Sequence, residues 1–161
     1  MLAFRGIERT TAAFRRELAN VAARLKTDVN FIGAVISRES GFRPEVVNPH
    51  GGATGLIQFM PATAKRLGTT TFALRMMNAE EQLPFVEAYY RPFAGRMHSA
   101  TDAYMATFLP SFVGKPPDFI LAADPNSGIE GAMPAIVYEQ NAGFDKEHKG
   151  FITVGDVGAA A

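Results

Sequence analysis

The apolar residues of this chain recur at helical spacing along most of its length. Between Glu8 and Lys26 they form one stripe, whose opposite face is basic, and the stripe consists of Phe14, Leu18, Val21 and Leu25. No stretch shows a long apolar–polar alternation, which is the pattern of half-buried strands. The pattern therefore predicts a mainly α fold with little or no β-sheet, which begins with an amphipathic helix within residues 1–26.

A second helix is predicted after Thr27 or Asp28, because either side chain can cap its N-terminus. Glu39 lies on the apolar face of this helix, which it shares with Ile32, Val35 and Ile36. Gly41 is typical of a helix end, so Glu39 falls in the last turn. The sequence thus places a carboxylate on a buried helix face.

The position of Glu39 predicts an unusual acidity. Burial and the negative end of the helix dipole both disfavour the ionised form, so we expect a raised pKa. A carboxylic acid that stays protonated near neutral pH can protonate the leaving oxygen of a glycosidic bond. The alternative is that Glu39 pairs with Arg38 or Arg43 at the end of the helix.

Turn and capping residues divide the middle of the chain. A glycine-rich stretch, 51–55, is followed by Pro61, which is expected to begin a short helix ended by Gly68. Asn78 with Glu81, three positions later, predicts a capping box for a helix that continues toward Met97. Pro84 lies inside this pattern, so the helix is expected to kink or to start later than the box.

The pattern is weaker in the C-terminal half. Ser99 with Asp102 predicts another capped helix, which passes through Phe108 and ends near Pro110. The stretch 114–134 is rich in glycine and proline, and it predicts one short helix, around 119–122.

Composition excludes several classes of protein. The 161 residues are 47% hydrophobic, and 16 basic residues balance 16 acidic ones, so charge alone does not recruit nucleic acid. No apolar run reaches the ~18 residues of a membrane span, and no secretory signal develops at the start. The chain lacks cysteine. We expect a single domain over residues 1–161, with no nucleic-acid partner and no membrane insertion.

Two segments resemble the catalytic-domain motif of the soluble lytic transglycosylases, lysozyme-like enzymes that cleave peptidoglycan. Residues 36–42 read ISRESGF, Asn48 follows, and residues 52–64 read GATGLIQFMPATA. Further motifs resemble a bacteriophage branch of that family, and they are YYRPF at 89–93, YMA at 104–106, GKP at 114–116 and NAGFD at 141–145. The resemblance covers roughly residues 25–156 and implies a lysozyme-like helical domain with a catalytic core at 27–144.

The resemblance also implies roles for individual residues. Glu39 matches the single catalytic acid of the family, and Ser40, Gly55 and Gln58 match positions that bind or approach the substrate. In the family mechanism the glutamate acts first as an acid and then as a base. The C6 hydroxyl of N-acetylmuramic acid then closes a 1,6-anhydro ring. No cofactor and no metal are expected.

Two features leave alternatives open. Many relatives carry an Ala-Tyr-Asn motif across the cleft, which Ala103-Tyr104-Met105 matches only in part, so Tyr104 is a candidate substrate-binding residue or an aromatic packed in the core. Glu45, on the loop after Glu39, is the nearest candidate for a second carboxylate. It would make the protein a goose-type hydrolase, whereas the alternative is a solvated loop residue.

Residues 145–156 have the spacing of a calcium-binding loop. Acidic residues occupy positions 1, 3 and 12, and Gly150 occupies position 6. Lys149 at position 5 places an ammonium where an oxygen ligand belongs, so we expect a loop that keeps the turn without the ion. The three histidines, His50, His98 and His148, lack the spacing of metal ligands.

The resemblance implies a phage-encoded enzyme that acts on periplasmic peptidoglycan, either from the virion or from the host cell. Peptidoglycan strands are its expected partner, with phage virion or tail proteins as further candidates. The alternative from another class is a structural component of a phage tail or injection apparatus that keeps a vestigial sugar cleft.

Overall fold

The computed structural model describes residues 3–160 as a helical fold with one small sheet. Its helices are α1 (Ala12–Arg24), α2 (Val29–Ser40), α3 (Pro61–Arg66), α4 (Thr71–Arg75), α5 (Ala79–Tyr90), α6 (Ala100–Phe108), α7 (Ala135–Asn141) and α8 (Val154–Ala160). The strands β1 (Ile120–Ala123) and β2 (Phe151–Thr153) pair antiparallel. The mainly α architecture agrees with the hydrophobic pattern.

The centre of the fold is α2, which packs against α1 on one side and α6 on another. The outer helices complete the core, since α1 also contacts α5 and α6 also contacts α8. The predicted apolar stripes of α1 and α2 are both buried in the core. Their buried residues are Phe14, Leu18, Val21, Leu25, Ile32, Val35 and Ile36. The ring of Phe14 meets that of Phe42 edge-on at 6.1 Å, which ties the end of α2 to α1.

Local signals set most helix ends correctly. Asp28 caps α2 by accepting a hydrogen bond from the backbone N–H of Asn30, and Gly41 ends that helix in the left-handed region. Asn78 and Glu81 form the reciprocal capping box of α5. Pro84 lies inside α5 and does not delay its start, which corrects one expectation.

Two other predictions are wrong. The segment expected to be a short helix around residues 119–122 is strand β1, whose partner β2 lies about thirty residues later. The helix expected to reach Met97 ends at Tyr90, where Pro92 follows in a short 3-10 turn. Met97 is a buried core residue outside any helix.

The described part of the chain has no helix with both the length and the apolar character needed to cross a bilayer.

Candidate active site

Glu39 lies in the last turn of α2, as its spacing predicted, with its side chain half-buried. Within residues 3–160 the carboxylate makes no hydrogen bond and no ion pair, so the expected alternative of pairing with Arg38 or Arg43 is not formed. Every fully buried side-chain oxygen of the described residues has a hydrogen-bond partner. The two oxygens of Glu39 have no such partner among these residues, so both reach the surface. The carboxylate is therefore available to a ligand.

The surroundings of Glu39 favour its protonated form. Burial raises the pKa of Glu39 above its ordinary value, while the neighbouring Arg38 guanidinium partly opposes this effect. The charge of Glu39 also acts on Tyr90 and Tyr104, whose own pKa values burial raises. These three side chains thus share one weakly hydrated region.

Ser40 connects α2 to residues 51–60, the segment before α3 that is called the glycine-rich loop from here on. Its side chain is buried, and its hydroxyl donates to the carbonyls of Ile36 and Leu56, at 3.2 and 2.9 Å. The same hydroxyl was predicted to contact substrate. The contact observed is to the protein backbone, so the direct effect of Ser40 is to fix the loop beside Glu39.

Gly55 is required by a close approach inside the protein. Its φ of +88° is accessible to glycine at little cost, and a Cβ at this position would lie 2.6 Å from Oε1 of Gln82. Gln82 is fully buried, and its Oε1 accepts from the backbone N–H of Leu56 at 2.9 Å. The Gln82 amide nitrogen donates to the carbonyls of Pro44 and Leu74, at 2.8 Å each.

Gln82 is thus a support of the site that sequence reasoning missed. A glutamine in a capped helix resembles a solvent-facing residue. Two of its three hydrogen bonds join α5 to the chain segments that follow Glu39, namely 42–45 and the glycine-rich loop, and the third joins α5 to Leu74 of α4. The signal in the sequence was helical spacing, because Val86, four residues after Gln82, is an apolar residue on the same face of α5.

Gln58 is half-buried in a loop whose neighbouring residues are buried. It adopts a positive φ of 58°, and its amide nitrogen donates to the carbonyls of Val46 and Gly55. Those bonds orient the amide and leave Oε1 as the group that can accept from a ligand. The motif matches Gln58 to a substrate-binding position, and the structure leaves the acceptor for that purpose.

A small cavity of about 40 Å³ adjoins Gln58. It is lined by Ile57, Gln58, Phe59, Met60, Thr63, Tyr89 and Thr107. Tyr89 was not singled out as a site residue by the sequence, and its hydroxyl donates to the carbonyl of Ala106 at 2.7 Å. Its ring meets those of Phe59 and Tyr90 edge-on. An aromatic wall therefore joins the glycine-rich loop to α6.

Tyr104 is packed in the core, which is one of the two interpretations that the sequence left open. Its side chain is almost fully buried, and its ring stacks on Phe108 at 5.8 Å between centroids. The guanidinium carbon of Arg38 lies 4.5 Å from the centre of the same ring. Tyr104 is thus an aromatic packed in the core that also lies within the electrostatic reach of Glu39.

Glu45 occupies a different place. It is exposed and lines a cavity of about 360 Å³ between the loop 42–45 and the starts of α1 and α5. Glu39 is not among the residues that line this cavity. The environment of Glu45 is that of the solvated loop residue.

The C-terminal loop, 145–156, keeps the turn that its spacing predicted. The carboxylate of Asp145 accepts from the backbone N–H groups of Lys149 and Gly150 and from the hydroxyl of Tyr138. The Lys149 ammonium lies 2.9 Å from both carboxylate oxygens of Asp156. The described residues form no cluster of three or more metal-ligand side chains. Lys149 thus places its own positive charge among the acidic groups.

Comparison with known families gives the site its context. Residues 18–82 match the family model of the transglycosylase SLT domain. The matched segment begins in α1, contains Glu39 and the glycine-rich loop, and ends at Gln82, so it includes most of the groups described above. This match confirms, over residues 18–82, the resemblance that the motifs at 36–42 and 52–64 indicated. The SLT domain family consists of lytic transglycosylases, which are lyases that cleave glycosidic bonds in peptidoglycan.

Proposed function

We propose that this protein, whose residues 18–82 match the family model of the transglycosylase SLT domain, cleaves the β-1,4 bond between N-acetylmuramic acid and N-acetylglucosamine and leaves a 1,6-anhydro end. The observation that carries the proposal is the state of Glu39. Its carboxyl group is half-buried, has a raised pKa and is free of any protein partner within residues 3–160. A group in that state can deliver a proton to a leaving oxygen.

The reaction then needs a single carboxyl group. Protonated Glu39 gives its proton to the glycosidic oxygen as the bond to C1 breaks. The resulting carboxylate takes the proton of the C6 hydroxyl of the same sugar while that oxygen forms its bond to C1. Glu39 is reprotonated in this step, and no water is consumed.

The neighbouring residues supply orientation. The acceptor Oε1 of Gln58 suits an N–H or hydroxyl donor of the sugar, and the Tyr89 wall suits its apolar face. Ser40 and Gly55 act through the loop that they hold. Tyr104 lies beneath Arg38 and within electrostatic reach of Glu39, so we assign it to the same wall of the cleft.

The goose-type hydrolase remains the competing proposal, with Glu45 as the residue that activates water. Its exposed position on the loop 42–45, away from the half-buried surroundings of Glu39, speaks against it. On the biological side we propose a phage enzyme for cell-wall penetration or lysis, with virion or tail proteins as candidate partners. A purely structural tail component has no need for a partner-free, half-buried carboxyl group, which favours the enzyme.

Product analysis tests the reaction directly. Purified peptidoglycan digested with the protein should release muropeptides that end in 1,6-anhydro-N-acetylmuramic acid, each one water lighter than the corresponding product of a hydrolase. Mass spectrometry distinguishes the two. Glu45→Gln should leave the products unchanged. Reducing ends that dominate the mixture and disappear in Glu45→Gln would establish the hydrolase instead.

A further inference from the structure

Arg38 is a charged residue that the proposed reaction does not use. It precedes Glu39 in the last turn of α2, and within residues 3–160 it makes no ion pair. Its charge lowers the pKa of Glu39 and so acts against the protonated form that bond cleavage needs. Within the described residues, Tyr104 is the group that contacts the Arg38 guanidinium, and the positive charge is left available to an anionic ligand.

The cavity beside Arg38 has a suitable composition for such a partner. It measures about 350 Å³, which lies in the range of ligand-binding clefts, and it is lined by Arg38, Gln140, Asn141, Gly143, Phe144 and Ala160. Arg38 is the only charged side chain in this lining. The amide nitrogen of Asn141 donates to the carbonyl of Val137, which leaves its oxygen as an acceptor. The lining thus offers one cation together with amide groups.

An aromatic series joins this cavity to the surroundings of Glu39. Tyr104 lies beneath the Arg38 guanidinium and stacks on Phe108, whose ring centre is 5.5 Å from that of Phe144. Phe144 in turn lines the cavity. The arginine is consequently supported on one face by a ring and can direct its N–H groups into the cavity.

We infer that Arg38 and this cavity bind a carboxylate of the peptide that is attached to the glycan strand. The inference rests on the proposed function. The sugar rings of the strand carry no charge, whereas the peptide on N-acetylmuramic acid carries free carboxylates close to the scissile bond. A guanidinium binds a carboxylate through two parallel hydrogen bonds, and the amides of Gln140 and Asn141 suit a peptide backbone. Arg38 is thereby a specificity-determining residue.

Three substrates separate this role from catalysis. They are intact peptidoglycan, the same strands freed of peptide by an amidase and then amidated at the lactyl carboxylates that the amidase exposes, and peptidoglycan whose carboxylates have been converted to amides with carbodiimide and ammonia. The protein should have a higher kcat/KM on the intact material than on either of the others. In Arg38→Met the ratio of kcat/KM on intact strands to kcat/KM on stripped strands should fall by about 10-fold or more. This is the size of the effect of losing a hydrogen bond to a charged group.

Conservative and control variants complete the experiment. Arg38→Lys keeps the charge without the paired N–H groups and should retain part of the preference. Arg75→Met removes a charge from an exposed site on α4 and should keep the full preference. Arg38→Gln replaces the methionine variant in the comparison if circular dichroism shows that the latter is unfolded.

The outcomes are distinct. One outcome is that Arg38→Met and Arg38→Gln lower kcat/KM on intact and on stripped strands by the same factor. Arg38 then acts only through Tyr104 or Glu39, and the inference is wrong. Equal rates of the parent on intact and amidated peptidoglycan would also overturn it. If the parent cleaves none of the three substrates, the proposed function itself fails.

Discussion

Two loops of this protein are stabilised by side chains of different kinds, neutral ones in the first loop and charged ones in the second. The glycine-rich loop beside Glu39 is fixed by neutral groups, because Ser40 and Gln82 are buried and bind its backbone directly. The C-terminal loop is fixed by charged groups, since the carboxylates of Asp145 and Asp156 accept from backbone N–H groups and Asp156 also pairs with Lys149. Neutral bonds leave the loop next to the acid indifferent to pH, whereas carboxylates make the other loop sensitive to it.

The largest expected effect is a loss of activity without a loss of fold, in a variant of Glu39 beside the glycine-rich loop. Glu39→Gln keeps the size of the side chain but removes its proton, so turnover should fall by at least ~10², with the fold intact. Clearing of cell-wall suspensions measures the rate, and circular dichroism on the same samples measures the fold. Activity within tenfold of the parent would remove Glu39 from its proposed role.

The second effect tests the neutral support of the glycine-rich loop. Gln82→Met leaves the Leu56 N–H and the Pro44 carbonyl without their partner, so unfolding free energy should fall by about 2–4 kcal/mol. Urea denaturation measures the change. The matched control is Gln140→Met, because Gln140 is exposed on α7, and we expect it to stay within about 0.5 kcal/mol. Equal stability of both variants would show that the Gln82 network does not support the loop.

Lowering the pH should destabilise the C-terminal loop and should not destabilise the surroundings of Glu39. Hydrogen bonds outweigh burial at Asp145 and Asp156 and lower the pKa of both below the ordinary 3.8, so their stabilisation is complete above that pH and is lost as pH falls through the lower folded values. The raised pKa of Glu39 acts in the opposite direction, because protonation relieves its burial.

Hydrogen exchange at decreasing pH tests that difference. Amides of 145–156 should lose protection below pH 3.8 before those of the glycine-rich loop. Asp145→Asn should weaken the first set at neutral pH already. Simultaneous loss in both loops would mean that the regions unfold as one unit.

The smallest effect is an expected lack of response. Because Lys149 already pairs with Asp156, a chelator should change neither the melting temperature nor the activity. Lys149→Asp should allow calcium to bind and to raise the melting temperature, since an ion that binds only the folded state stabilises it. Calorimetric detection of a micromolar calcium site in the parent would contradict this.

The distance along the chain between a residue and its partners explains what the sequence could predict. Glu39 was placed correctly because helix spacing, the Asp28 cap and Gly41 are all local signals. Strand β1 was mistaken for a helix because its only evidence is β2, a distant segment. Gln82 was missed for a similar reason, since its partners lie in loops 26 and 38 residues away. Ser40 and Gly55 were selected by resemblance, and their direct contacts turned out to be with the protein itself.

The bond from the Tyr138 hydroxyl to Asp145 has an optical consequence. The chain has four tyrosines and no tryptophan, so its intrinsic fluorescence is tyrosine emission. A phenol hydrogen-bonded to a carboxylate emits weakly, because the carboxylate accepts the proton that the excited phenol releases. Opening of the C-terminal loop therefore brightens this one fluorophore, and the protein carries its own label-free reporter for that region.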